Sequence, residues 1–376
     1  MIDTTRSFKG ACFARSLSLN TDQALDEILS AFEGEELAGV LFFASSQCDF
    51  ELFASSLHRR LGVPSIGCTT SGEVSGCGGH SEHSVVALGL RSSGFELETL
   101  MIPDVGTHSP DSIADTMENA PLMLSDYAFA LMLVDGLSMA EERVCAGLAR
   151  ALQETPIIGG SAGDDLRFEQ TWVACNGEVA RDAAVLMLVK TGLPVSIFHS
   201  HHFTATDTRL VITGAIPEER RVTEINGEPA AVGYARAVGL DVRELSPLVF
   251  AEHPVVLSIG GEYYVRSIQQ ANPDGSLTFF CAIDEGLVLR IAQGGDLPSR
   301  FRSVIDEQRE KVGELGLMIG FDCILRRLEL LNHDQLDQVG EILSGAPFIG
   351  FSTYGEQING LHVNQTMTGV AIGRAA

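Results

Sequence analysis

One short phrase is written three times in the chain. Pro64-Ser65-Ile66-Gly67-Cys68-Thr69-Thr70-Ser71-Gly72-Glu73 returns without a gap as Pro347-Phe348-Ile349-Gly350-Phe351-Ser352-Thr353-Tyr354-Gly355-Glu356. With one deletion it returns as Pro156-Ile157-Ile158-Gly159-Gly160-Ser161-Ala162-Gly163-Asp164. Upstream of each copy stands an apolar run of strand length (Val40 to Ala44, Phe129 to Val134, Leu317 to Phe321), and then a segment with apolar residues at helical spacing. Each copy therefore reads as a β-α-β unit. Proline can open the second strand because its missing N–H lies before the ladder begins, and the glycines let the chain turn sharply after a short strand. A further strand follows each phrase: Ser84 to Leu90, Ala183 to Val189, Thr366 to Ile372. Repetition of this kind means one architectural unit used again, with Gly67, Gly159 and Gly350 at equivalent places. The acids that close the phrases, Glu73, Asp164 and Glu356, stand where carboxylates satisfy backbone N–H groups. They also stand at strand ends, where open α/β sheets bind ligands.

The sequence between the repeats supplies the other elements. Asn20 and Gln23 form a capping-box signature ahead of the stripe Leu25, Ile28, Leu29, Phe32. Phe50, Phe53, Leu57 and Leu61 mark the helix of the first unit, and Val144, Leu148 and Leu152 that of the second. Leu336, Val339, Ile342 and Leu343 mark that of the third. Residues 77 to 83 read as loop; Glu96 to Ile102 reads as a strand and Ile113 to Met117 as helix. Val195 to Phe203 reads as one strand that ends in three histidines. Asn226-Gly227 is a turn, and Pro229 starts a helix that reaches Gly239. Beyond it Val255 to Ile259, Glu262 to Gln269, Leu277 to Ile283 and Leu287 to Ala292 read as an antiparallel meander, and Pro298 to Val312 as a helix. The fold class expected is thus α/β and α+β: repeated β-α-β units forming mixed sheets flanked by helices, with an antiparallel meander in the second half. A boundary near Pro217 to Arg221 divides the chain into residues 1–218 and 219–376.

Composition narrows the class. A chain of 376 residues, 45% hydrophobic and 20% charged, has room for two or three globular domains. A formal charge of −25 opposes nucleic acid, whose phosphates demand a basic stripe. The longest apolar runs are strand length, which points away from a membrane, and the first twenty residues lack the apolar core of a signal peptide, so the expected location is the cytoplasm. Eight cysteines without a C-x-x-C spacing fit reduced thiols.

The phrases IGCTTSGE, PIIGGSAGDD, Trp172 to Gly177 and VTEINGEPA in the first half resemble the N-terminal domain of the FIST family of bacterial intracellular sensory proteins. FDCILRR (Phe321 to Arg327), PFIGFSTYGEQ and HVNQTMTG (His362 to Gly369) resemble its C-terminal domain. Within that family, His202 to Val211 is similar to the NosP-type nitric oxide sensors. That likeness implies haem b on a histidine and a partner histidine kinase that feeds cyclic-di-GMP and biofilm signalling. It also implies a sensor and not an enzyme, with homo-oligomers in reach. His202 is the histidine it marks, and His201, directly before it, leaves the ligand open among His202, His201 and His199, with His362 next. A binding class without haem is also open: a sensor of a small metabolite such as an amino acid, with the repeat loops as its pocket.

Two further chemistries can be read from the residues. On a strand His199 and His201 share one face, the spacing of two zinc ligands, but no third ligand stands at a diagnostic spacing. Gly159 to Gly163 matches the serine hydrolase phrase G-x-S-x-G, yet the residues after Ser161 read as loop where that motif needs a helix. The equivalent Thr69 and Ser352 make Ser161 a structural turn residue.

Overall fold

The computed structural model describes residues 10–259 and 261–374. In all three repeats the two strands of the phrase lie parallel and in one register. Phe42 stands opposite Gly67, Met132 opposite Gly159 and Gly320 opposite Gly350. The residues after the prolines begin the strands Ser65–Thr70, Ile157–Ser161 and Phe348–Thr353. Each proline carbonyl accepts from the neighbouring strand: Val40 N at 2.9 Å, Ala130 N at 2.8 Å, Met318 N at 2.8 Å. The three glycines are not turn residues, as the sequence suggested. They lie inside buried strands, where a Cβ would run into the Phe42 ring, the Met132 carbonyl or the Gly320 carbonyl.

Each unit is larger than β-α-β. Unit one runs Ala11–Ser16, helix Thr21–Ala31, Leu37–Ser45, helix Phe50–Leu61, Ser65–Thr70, a hairpin (Glu73–Ser75, Gly79–Ser81) and Val85–Arg91. Unit two repeats the order from Glu96–Ile102 to Ala184–Lys190, with the hairpin Val173–Cys175 and Glu178–Ala180. Unit three opens with Val195–Ser200 and ends with the hairpin Glu356–Ile358, Leu361–Val363 and the strand Met367–Gly373. The segment 77–83, expected as loop, thus contains a strand: glycines hid it, because its pairing comes from Glu73–Ser75 and not from its own apolar residues.

The hairpins are exchanged around a ring. Unit one's hairpin pairs with Phe348–Thr353 of unit three, unit three's with Ile157–Ser161 of unit two, and unit two's with Ser65–Thr70 of unit one. Three equivalent backbone hydrogen bonds close the ring where the units meet: Ser71 N to Ser352 O at 3.2 Å, Tyr354 N to Ser161 O at 3.2 Å and Gly163 N to Thr69 O at 3.0 Å. The result is three six-stranded mixed sheets. Their inner faces share one core, in which Phe43 lies 4.6 Å from Phe351 and 6.2 Å from Phe321 between ring centroids. Their outer faces are covered by helices. Each fully buried Leu, Ile, Val or Phe contributes roughly 1.5–3 kcal/mol, so the shared core binds the units into one body.

The antiparallel elements of the second half are an insertion in unit three. The chain leaves after Val195–Ser200, builds an eight-stranded sheet from Phe203–Ile216 to Val288–Gly294, and returns at helix Leu297–Val312. It is antiparallel as expected but not a simple meander, for Val288–Gly294 pairs with Val255–Ile259 and with Phe203–Ile216. A bound arginine fixes this sheet to unit two: Arg220, 6% exposed, reaches Glu141 and Glu142 and donates to Phe280 O at 2.7 Å. The reading of Val195 to Phe203 as one strand is corrected. It breaks at His201 and His202, where the chain crosses between the two sheets and Gly295 N bonds to His202 O at 2.7 Å. The helices Pro247–Glu252 and Ile324–Asn332 were not expected.

Candidate ligand-binding site

The pseudo-threefold symmetry supplies an internal comparison, because the same place exists three times at the end of the parallel strands, on the face toward the helices. In unit one it is occupied by Ala44 and Thr69, in unit two by Val134 and Ser161, in unit three by Asp322 and Ser352. The incoming hairpin adds the cross-strand pairs Ala174 and Val179, Gln357 and His362, and Val74 and His80, respectively. In unit one Thr69 Oγ1 accepts from Trp172 N at 3.0 Å. In unit two Ser161 Oγ accepts from Gln357 Nε2 at 2.8 Å, and that amide lies 3.2 Å from His362 Nδ1. Unit three differs: Ser352 Oγ, Asp322 Oδ2 and both ring nitrogens of His80 are buried and have no partner.

Helix Ile324–Asn332 begins directly after the strand Leu315–Cys323 and sends Arg326 into this place. Its guanidinium is fully buried. Nε donates to Asp322 Oδ1 at 2.6 Å, the cation lies 5.0 Å from the centre of the Phe301 ring, and Nη2 has no partner. Burial raises the Asp322 carboxyl above its ordinary range, and Arg326 opposes the rise. Burial, aided by Arg327 and Arg326, lowers His80 to about 3, so this imidazole is neutral and offers one donor and one acceptor.

His202 joins the same network. Its ring is 2% exposed, with Nε2 at 2.8 and 2.9 Å from the Glu329 carboxylate oxygens and Nδ1 at 3.4 Å from Arg326 Nη1. Burial lowers its pKa against the pull of Glu329, so the ring is neutral; Arg326 donates to Nδ1 and the Nε2 proton goes to Glu329. A side chain at Gly294 would press on this pair. His199 is lowered by burial to about 4, has its Nε2 buried without a partner, and lies 6.0 Å from the His201 ring. Among the described residues no group of three or more His, Cys, Asp or Glu can hold a metal ion.

An axial haem histidine needs one free ring nitrogen facing an apolar cavity and an acceptor on the other. His202 does not fit: one nitrogen is on a carboxylate and the other faces a guanidinium. Two open clefts, of about 500 Å³ between helices Leu297–Val312 and Leu336–Ser344 and of about 570 Å³ beside Gly94 and Gly192, have none of these histidines in their walls. The hydrolase phrase also resolves. Ser161 is fully buried at the end of its strand and is held by Gln357, with His362 on the far side of that amide.

The repeated acids separate into two kinds. Glu73 accepts from Thr70 Oγ1, from Ser84 N at 3.2 Å and from Ser84 Oγ at 2.5 Å; Glu356 accepts from Thr353 Oγ1, from Thr366 N at 3.1 Å and from Thr366 Oγ1 at 2.8 Å. Asp164 is not their counterpart. Residues 164–171 are an insertion, Val173 holds the equivalent strand position, and Asp164 ties Phe168 N, Glu169 N, Gln170 N and the Tyr354 hydroxyl. In unit two the latch has moved to Asp135, which accepts from Thr171 Oγ1 and from Asp182 N at 2.5 Å.

The chain is thus a ring of three repeated units with a sheet inserted in the third, whose strand ends place a buried carboxylate, Asp322, where the other two have Ala44 and Val134. Residues 38–228 match the FIST N domain and residues 230–359 the FIST C domain. The chain belongs to the FIST family, whose domains are sensory domains of signal transduction. It is similar to an uncharacterized protein of Methanocaldococcus jannaschii, 27% identical over 266 residues that are 65% of this chain and 51% of the relative, so it spans about half that protein's length. Among solved structures it has a slight likeness to T. maritima PurL complexed with FGAR, 12% identical with a TM-score of 0.20 over 96% of this chain and 72% of that one, which carries no argument.

Proposed function

We propose that this chain is a sensor, not an enzyme, and that it binds a small zwitterion such as a free amino acid at the third unit's strand ends. The observation behind this reading is the set of unpartnered buried atoms: Asp322 Oδ2, Ser352 Oγ, Arg326 Nη2 and the His80 nitrogens. Unpaired polar atoms in a dry site cost roughly 1–3 kcal/mol each, and a ligand that satisfies them recovers that energy. An ammonium suits Asp322 and Ser352; a carboxylate suits Arg326 and His80. A molecule that carries both is neutral overall and enters a buried place at less desolvation cost than either charge alone. Calorimetric titration with the twenty common amino acids is the test. Binding of at least one, abolished in Asp322→Asn, supports it; twenty flat titrations of folded protein sink it.

The nitric oxide reading, with haem b, a histidine kinase partner and cyclic-di-GMP output, rests on the likeness of His202 to Val211 to NosP-type sensors. Glu329 and Arg326 stand where it needs a free imidazole nitrogen, so the metabolite reading is preferred. A haem titration separates the two, since a Soret band that disappears in His202→Ala would favour haem.

A further inference from the structure

The unpartnered atoms of the proposed ligand place are buried, and its outermost side chain, His80, is only partly exposed, so something must open to admit the ligand and must register its arrival. We propose that the hairpin of unit one, Glu73–Ser75 with Gly79–Ser81, is that element: a lid on unit three's site, latched by Arg327 and Glu82, whose closure on the ligand reports to unit one. The inference rests on the ligand reading above and adds the route of the signal.

Four observations carry it. His80, opposite Val74 in the hairpin, is the polar side chain that unit one brings to the site, and both its nitrogens await a partner. The hairpin is held to unit three by a short ladder, Ile349 with Ser75, Gly350 with Val74 and Phe351 with Glu73, flanked by the bonds from Gly76 N to Phe348 O at 2.7 Å and from Ser352 N to Gly72 O at 2.8 Å. A ladder so short opens locally at far less cost than the unfolding of the whole body. Behind the hairpin Gly79 lies backbone to backbone against the Cα of Gly340 in helix Leu336–Ser344, and Val74 is the one hydrophobic side chain of its two strands in the core cluster there.

The fourth observation is the latch. Arg326 and Arg327 are consecutive on one helix and face different units. Arg326 points into the site, whereas Arg327 donates from Nη1 to the Ser71 carbonyl and from Nη2 to Glu82, both in unit one. A ligand carboxylate that draws on Arg326 therefore acts on the helix turn that also holds the hairpin's two ends. Units one and two are built differently: their places hold Ala44 with Ala174, and Gln357, whose Nε2 bonds to Ser161 and lies beside His362.

The experiment uses the full chain and L-alanine, L-leucine, L-glutamate and L-lysine as probes. Hydrogen exchange of residues 73–83 is followed with and without saturating probe, and affinity is compared between wild type and Glu82→Gln. Glu82 is 56% exposed at its side chain, so the variant keeps its fold. The expected result is slower exchange in 73–83 on binding and an affinity weakened roughly two- to fivefold in the variant, the worth of an exposed ion pair. A probe that binds, is lost in Asp322→Asn, and leaves both exchange and the Glu82→Gln affinity unchanged overturns the lid while the site stands. If these four and the other sixteen common amino acids all fail to bind, site and lid fall together.

Discussion

Glu73 and Glu356 hold the same place in units one and three, each with its carboxyl between a threonine hydroxyl three residues earlier and the hydroxyl and N–H of the residue that leads into the last strand. Both are fully buried, and burial raises them to about 7 and about 8. A protonated Glu73 is well served, because Thr70 Oγ1 lies 3.3 Å from the Ala44 carbonyl and can donate there while it accepts the carboxyl proton.

The sign of the pH dependence follows. From the ordinary value of 4.5 up to about 7 or 8 the folded state keeps these protons and the unfolded state has lost them, so stability is complete below 4.5 and is lost as pH rises through the folded values. The two groups together contribute on the order of a few kcal/mol. Glu73→Gln and Glu356→Gln mimic the protonated carboxyl. Urea unfolding at pH 5 and pH 8 should show a smaller loss of stability in either variant than in wild type; equal losses would mean that the carboxyls are ionised at pH 5.

The hydroxyls of units two and three should respond differently to removal. Ser161→Ala breaks the bond from Gln357 and costs about 1 kcal/mol, whereas Ser352 Oγ has no partner and Ser352→Ala is neutral within about 0.5 kcal/mol. Thermal unfolding of the two variants checks this, and equal shifts would show that Ser352 is already satisfied.

His202→Ala leaves the Glu329 carboxylate and Arg326 Nη1 short of a partner in a buried place. We expect a loss of roughly 2 kcal/mol in chemical unfolding and, in haem titrations, no Soret band in either protein. A surface-like loss below about 0.5 kcal/mol would mean that the pair is not formed.

Gly350→Ala places a methyl against the Gly320 carbonyl in a buried strand and should cost about 3 kcal/mol or more. At Gly62, where φ is +67° and nothing lies within 4 Å, alanine should cost only about 1 kcal/mol. Denaturant midpoints that fall equally would make the glycine a matter of backbone angle and not of contact.

The repeated phrase was legible because its glycines and prolines answer to backbone packing, which is local to each parallel strand pair. Which sheet each hairpin joins was not, since the residues of Glu73–Ser81 specify a hairpin and say nothing of Phe348–Thr353, its partner. Asp164 was matched to Glu73 by its place in the phrase, and only the register shows that residues 164–171 are inserted between. His202 was singled out in the sequence as a candidate ligand, but its neighbours were not legible: Glu329 and Arg326 lie on a helix whose buried charges interrupt the apolar stripe that would have revealed it. Asp322 carried a signal that was there to be used, as the carboxylate where the other repeats have Ala44 and Val134.

The exchange of hairpins also sets an order of assembly during translation. Unit one's hairpin emerges from the ribosome roughly 270 residues before its ladder partners, Phe351, Gly350 and Ile349. Until then Glu73–Ser75 presents an unpaired edge and the strand Ser65–Thr70 waits for Val173–Cys175. The nascent chain therefore carries open strand edges across that whole interval, and each is a place where a wrong strand can pair.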